Sequence, residues 1–99
     1  MSLNLQTTLV TTTPHTIAVS ETVLLVNVAG LASIILPTGA AGDDERSYII
    51  KDISGNATKN PITITANGGR LIDGVKFAIL NGGYSHIHVV SDGTNWYTI

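Results

Sequence analysis

Apolar runs in this chain are short, and turn-forming residues close each of them. In the central part, residues 48–53 and 62–65 are two such runs, and the segments 54–56 and 59–61 lie between them. Those segments contain glycine, asparagine, serine and proline, which favour turns through positive φ, side-chain capping or a fixed φ. Two further reversals follow shortly afterwards. We therefore expect residues 47–74 to form a β-meander.

The rest of the chain repeats this pattern of short runs and turns. Apolar and β-branched residues predict further strands at 7–13, 16–19, 22–28, 32–36, 76–80, 84–91 and 94–99. Asp92-Gly93 predicts a β-hairpin between the last two strands. In residues 22–28 both faces are largely apolar, which predicts a strand covered on both sides.

No window of about 11 residues sustains the apolar spacing of a helix. The predicted fold class is therefore all-β, as a small antiparallel β-sandwich or β-meander domain that assembles as a trimer. We expect residues 1–19 to form an N-terminal β-strand arm and residues 20–99 to form the β domain. Residues 39–47 hold Asp43, Asp44 and Glu45 in a glycine-flanked segment, which predicts a solvated loop.

The composition is poor in charge. Charged residues make up 12% of the chain, against about 25% in typical soluble domains, so part of the surface is expected to be buried against other copies. A formal net charge of -2 argues against nucleic acid as a partner. No stretch approaches the roughly 18 apolar residues of a membrane-spanning helix. The N-terminus lacks the pattern of a signal peptide, so export by that route is not expected.

Six short motifs follow one another along most of the chain. They are Ile34-Ile35-Leu36-Pro37, Tyr48-Ile49-Ile50-Lys51-Asp52, Ser54-Gly55-Asn56-Ala57, Asn60-Pro61-Ile62-Thr63-Ile64, Ile72-Asp73-Gly74 and Ser91-Asp92-Gly93-Thr94-Asn95-Trp96-Tyr97. In this order they resemble a module that recurs in tail fibre, tail spike and related virion proteins of tailed bacteriophages. The resemblance covers residues 20–99 and leaves residues 1–19 outside.

This resemblance implies a trimeric β-structured part of a phage tail, made in the host cytoplasm and located in the virion. Its partners would be further copies of itself, other phage tail proteins and host cell-surface polysaccharide. It implies no cofactor and no catalysis, and it marks no receptor-binding residues. Two alternatives stay open: a module that binds host-surface glycan as its receptor, and a capsid-associated structural protein. Whether the chain is a whole protein or an excised domain also stays open.

Trp96 and Tyr97 are the candidates for glycan binding. Neighbouring residues on a strand point to opposite faces, so one of the two rings is expected in the core. An aromatic ring on an exposed face could stack on a sugar, whereas an aromatic residue near a chain end more often fills the core.

His86 and His88 are the candidates for metal binding. Residues two apart on a strand project from one face, so both imidazoles point the same way. Three chains around an axis would supply six nitrogens, which suits octahedral Fe(II) or another transition metal better than tetrahedral zinc. His-x-His iron sites of this kind occur in some phage tail spikes, which the resemblance adds. The simpler interpretation is two polar residues on an exposed strand.

Catalytic residues are not expected. The three histidines show no recognisable spacing to a serine and an acid, and the aspartates fall in turns, where Asp caps backbone amides. We therefore predict a protein that is not an enzyme, and the choice lies between a structural module and a binding module.

Overall fold

The computed structural model of this chain describes residues 6–18, 21–37 and 46–99. Within these ranges the chain forms nine strands and one turn of 3-10 helix at Asn56–Thr58, with no α-helix. The strands are β1 (Thr7–Val10), β2 (His15–Thr16), β3 (Val23–Val26), β4 (Ala32–Ile35), β5 (Ser47–Asp52), β6 (Ile62–Thr65), β7 (Phe77–Leu80), β8 (His86–Ser91) and β9 (Trp96–Thr98). The predicted all-β class is confirmed.

The strands form two mixed sheets. Sheet A has the order β1-β3-β5-β8-β9, and sheet B has the order β2-β4-β6-β7. From β1 to β6, successive strands alternate between the two sheets. Each strand from β3 to β6 therefore lies beside the strand two positions earlier in the chain and runs in the same direction. The four pairs β1-β3, β3-β5, β2-β4 and β4-β6 are parallel.

The expectation of an antiparallel domain is wrong for those four pairs. Residues 47–74 do not form a meander, because β5 and β6 belong to different sheets and do not pair with each other. The physical reason is that apolar alternation shows which face of a strand is buried but not the direction of its neighbour. A turn signal likewise shows that the chain bends, without showing whether the next strand joins the same sheet.

The antiparallel pairs lie in the C-terminal half. β5 pairs with β8, β6 with β7, and β8 with β9, so the predicted hairpin over Asp92-Gly93 is confirmed. Between β6 and β7, Ile72 and Val75 form an antiparallel bridge across Asp73 and Gly74. Both of these turn residues have positive φ, 50° and 82°, which is the conformation that an Asp-Gly hairpin turn requires.

One hydrophobic core contains buried residues from both sheets. Leu24, Val26, Ile50 and Val89 of sheet A belong to the same cluster as Ile34 and Ile64 of sheet B. The alternating burial along β3, β4, β5 and β6 follows directly from their alternating side-chain directions. The outer face of each sheet is the one whose side chains point away from this core.

The N-terminal strands are integrated into both sheets. β1 pairs with β3 along its whole length, and β2 pairs with β4. On β3 the inner residues are buried, while Val23 and Leu25 on the outer face are half-buried. The loop predicted around Asp43, Asp44 and Glu45 lies outside the described residues, as does the predicted boundary between residues 19 and 20.

Candidate functional site

The two aromatic candidates on β9 have opposite environments. Trp96 is 0% exposed and packs against Tyr48, with ring centroids 5.8 Å apart. It is the core residue of the pair, and its ring offers no surface to a glycan. Tyr97 lies on the outer face of sheet A and is 41% exposed. Of the two predicted glycan-binding residues, the structure therefore leaves only Tyr97 accessible.

A shallow depression of about 340 Å³ lies where the start of β5 meets the end of β8. It is lined by Arg46, Ser47, Val90, Ser91 and Asp92. Strand pairing brings these residues together, because Ser47 on β5 is opposite Val90 on β8, and Val90 is opposite Tyr97 on β9. The Ser91 N–H also donates to the Arg46 carbonyl oxygen at 2.8 Å.

Asp92 links the depression to Tyr97. Its Oδ1 accepts hydrogen bonds from the N–H groups of Thr94 and Asn95, at 2.9 and 2.8 Å. Its Oδ2 accepts the Tyr97 hydroxyl at 3.3 Å. The backbone N–H groups of Asn95 and Thr94 lower the pKa of Asp92, and the negative charge of Asp92 raises the pKa of Tyr97. At neutral pH the site thus holds a carboxylate beside a protonated phenol.

His86 and His88 both lie on the outer face of sheet A. His86 is exposed and opposite Lys51 on β5, and His88 is half-buried and opposite Ile49. Lys51 Nζ donates to the Tyr84 carbonyl oxygen. No group of three or more His, Cys, Asp or Glu residues suited to a metal occurs in the described part of the chain. An iron or other transition-metal site at His86 and His88 stays a prediction, which metal analysis of untagged protein would test.

A buried carboxylate that the sequence did not single out is Asp52, at the end of β5. It is 1% exposed, and its two oxygens accept four hydrogen bonds from three residues: the Ser54 N–H and hydroxyl, the Ala57 N–H and the Tyr84 N–H. Burial raises the pKa of Asp52, but these hydrogen bonds outweigh burial and hold the pKa below its usual value. The sequence carries a signal for this site, because the Asp-x-Ser-Gly-Asn spacing is typical of side-chain capping.

The outer face of sheet B carries no charged side chain among the described strand residues. Its outward positions on β4, β6 and β7 are Ser33, Ile35, Thr63, Thr65, Phe77 and Ile79. Phe77 is 50% exposed and Ile79 is 51% exposed. Large apolar side chains on a face whose described strand residues carry no charge mark a surface suited to protein contact.

β7 is also an edge strand. Within the described residues it pairs only with β6. The other C-terminal edge, at β9, is covered by the chain itself: the Trp96 N–H donates to the Leu71 carbonyl oxygen, and the Asp73 carboxylate accepts the Thr98 N–H and hydroxyl. Among the described residues, the chain thus covers the β9 edge and leaves the apolar edge of β7 without a second partner strand, and we call this the open edge of β7.

Comparison with protein-family models and with curated protein sequences found no match for this chain. None of the described residues belongs to a helix long and apolar enough to cross a membrane.

Proposed function

We propose that this chain is a non-enzymatic structural module of a phage tail, in a fibre, a spike or an associated protein, that assembles as a homotrimer and contributes to host attachment. The observation that supports assembly is the outer face of sheet B, whose described strand residues carry no charge, together with the open edge of β7. The assignment to a phage tail rests on the resemblance of residues 20–99 to the tail fibre and tail spike module.

The open edge of β7 supports the proposal that copies of the chain assemble. Phe77, Ala78, Ile79 and Leu80 contain no charge, no proline and no bulge, and such an edge pairs readily with another chain. Natural proteins usually protect edges of this kind. A neighbouring copy would provide that protection and would also bury Phe77 and Ile79.

The direction of the two outer faces bears on the metal hypothesis. Because both sheets contribute to one core, their outer faces point away from each other. A threefold axis beside the outer face of sheet B would place His86 and His88 on the far side of each chain. In that arrangement the two histidines would not meet their counterparts, so a metal site at His86 and His88 requires a different arrangement of the three chains.

Light scattering coupled to size-exclusion chromatography tests the assembly. We expect the mass of three chains of 10.4 kDa each at micromolar concentration. A stable monomer at that concentration would contradict the trimer.

Immunogold labelling of the phage particles whose genome encodes the chain tests its place in the virion. We expect label on the tail, with particles lacking the gene as the control, and label on the capsid instead would favour the capsid-associated alternative.

A further inference from the structure

We propose that Asn67 is a site of spontaneous deamidation in the folded chain, through attack of the Gly68 backbone nitrogen on the Asn67 side-chain amide. Water is the only co-reactant. The reaction takes place within one chain, so this inference goes beyond the structural role proposed above and does not depend on assembly.

The chain contains two Asn-Gly pairs, at residues 67–68 and 81–82, and a second glycine follows each pair. Asparagine is one of the thermolabile residues of proteins. Its side-chain amide and the next backbone nitrogen can close a succinimide ring, and glycine lacks the Cβ that would hinder this approach. Because the two pairs are so alike in sequence, their surroundings in the fold decide which of them reacts.

The turn after β6 brings the two reacting groups of the first pair together. Asn67 and Gly68 are both exposed, so water reaches them. The Gly68 N–H donates to Asn67 Oδ1 at 2.9 Å, which places the attacking nitrogen beside the amide carbon that carries Oδ1. Gly68 and Gly69 have φ values of 68° and 77°, and the Arg70 N–H donates to the Asn67 carbonyl oxygen at 3.3 Å. Two successive positive φ values are those of a turn that favours glycine, so the turn itself keeps the nucleophile unhindered.

The reaction balances with one water taken up and one ammonia released. The Gly68 nitrogen loses its proton and forms a bond to Asn67 Cγ, the bond from Cγ to Nδ2 breaks, and ammonia leaves with that proton. Water then opens the succinimide at either carbonyl carbon. Opening at Cγ gives aspartate, whereas opening at the backbone carbonyl carbon gives isoaspartate, in which the main chain runs through the former side chain. Either product makes the formal net charge of -2 more negative by one.

The fold restrains the same chemistry at the second pair. Gly82 is half-buried, and its carbonyl oxygen accepts the Ser85 N–H at 3.1 Å and the Ser85 hydroxyl at 2.5 Å. The following N–H, of Gly83, donates to Thr58 Oγ1 at 2.9 Å. Ring closure at Asn81 requires Gly82 to move, and that movement breaks hydrogen bonds, which costs free energy. The structure therefore favours reaction at the first pair.

Peptide mapping by mass spectrometry tests the site on the full chain, after incubation in mildly alkaline buffer at physiological temperature. We expect the mass gain of replacing NH₂ by OH at Asn67, with isoaspartate among the products. Its rate should be about tenfold higher than at Asn81, the ratio that the loss of about one hydrogen bond in the barrier would give. In Asn67→Gln the conversion at residue 67 should be lost, because the longer side chain closes a ring far more slowly, and conversion at Asn81 should be unchanged.

The chain unfolded in guanidinium chloride is the matched control, since it keeps both Asn-Gly pairs but neither turn. We expect the two asparagines to react there at similar rates. Equal rates in the folded chain would overturn the proposal, and so would a folded chain that stays unconverted at Asn67 while the unfolded chain converts. A preference for Asn67 that is as large in the unfolded chain would also overturn it, because the turn would then not select the site.

Discussion

Asp52 joins three backbone segments through one carboxylate. Its partners lie just after β5, in the 3-10 turn and in the loop before β8. The bond to the Tyr84 N–H helps to hold Tyr84 at a φ of 61°, a conformation that is uncommon for a bulky residue. The Tyr84 ring lies so close to Gly55 that a Cβ there would be 2.7 Å from Cε2 of the ring. Gly55 itself has a φ of 80°, so the left-handed backbone and this close approach together explain the glycine in the Ser54-Gly55-Asn56 motif.

Trp96 is the residue whose truncation should lower the stability of the fold most. It is the largest fully buried side chain among the described residues, and its removal would leave a cavity beside Tyr48. We expect Trp96→Ala to lower the free energy of unfolding by about 3–5 kcal/mol, which is a large part of the stability of a domain this small. Urea titration followed by circular dichroism measures the loss.

Trp96→Phe is the control for that measurement, because phenylalanine keeps much of the apolar volume. The indole N–H has no hydrogen-bond partner among the residues that the structure describes, so this variant should cost clearly less than Trp96→Ala. A loss under about 1 kcal/mol in Trp96→Ala, the range of surface substitutions, would show that the residue is not in the core.

At the scale of elements, β7 combines a buried side with an open edge. Ala78 and Leu80 point to the core, and Phe77 and Ile79 point outward. The Ala66 N–H donates to the Lys76 carbonyl oxygen, and hydrogen-bonded pairs alternate along an antiparallel ladder. With Ile64 opposite Ala78, the N–H of Ala78 therefore points to β6, and the N–H of Ile79 points away from it.

This direction makes proline a selective probe of the edge. Proline is tolerated on an edge strand where the N–H faces away from the sheet, so Ile79→Pro should keep the fold while removing a donor that a second chain needs. We expect Ile79→Pro to shift the chain from trimer to monomer, as measured by light scattering, and to change the far-ultraviolet circular dichroism spectrum little.

Ala78→Pro is the matched variant on the neighbouring position. It removes an N–H that bonds to β6, so it should lower stability by about 1 kcal/mol for the lost hydrogen bond, with further strain from the proline ring. An Ile79→Pro variant that stays fully trimeric would show that the β7 edge does not take part in assembly.

At the scale of the whole molecule, three carboxylates in different parts of the fold have lowered pKa values. They are Asp52, Glu21 and Asp92. Burial raises the pKa of Glu21, but the hydrogen bonds from the Ala18 N–H, Thr8 and His15 outweigh burial, so the pKa lies below its usual value. His15 Nε2 lies 3.2 Å from Glu21 Oε1. This contact connects β2 of sheet B to the segment that leads into β3 of sheet A.

Acid should therefore destabilise the chain. A carboxylate with a lowered pKa in the folded state contributes stability that is fully present above its unfolded pKa, near 4. That contribution is lost as the pH falls through the lower folded value. We expect these three groups to leave the urea midpoint unchanged between pH 7 and about 5. Below about pH 4 their protonation should lower the midpoint steeply.

Asp52→Asn separates the contribution of the buried carboxylate. The amide NH₂ group would face buried backbone N–H donors, and each unsatisfied group costs roughly 1–3 kcal/mol. The variant should be less stable at pH 7 and should lose less stability on acidification. A pH profile parallel to that of the unchanged chain would show that Asp52 does not carry this dependence. Asp92→Asn is the comparison at an exposed carboxylate, and we expect it to change both the stability at pH 7 and its pH dependence less.

The sequence by itself determined the local features of this protein. Short β-branched runs and Gly, Asn and Pro turns were enough to predict an all-β chain, the hairpin over Asp92-Gly93 and the reversal at Asp73-Gly74, because these features depend on residues that are close in sequence. Alternation along β9 also predicted that Trp96 and Tyr97 would have opposite environments.

Only the tertiary structure decided which strands are neighbours and in which direction. The parallel pairs join residues such as Val23 and Ile49, far apart in the chain, and no local pattern specifies such a partner. The same holds for the Asp52 contact with Tyr84, for the depression between β5 and β8 and for the open edge of β7. Each arises where distant segments meet, since side-chain periodicity encodes the buried face of a strand but not the strand that will lie beside it.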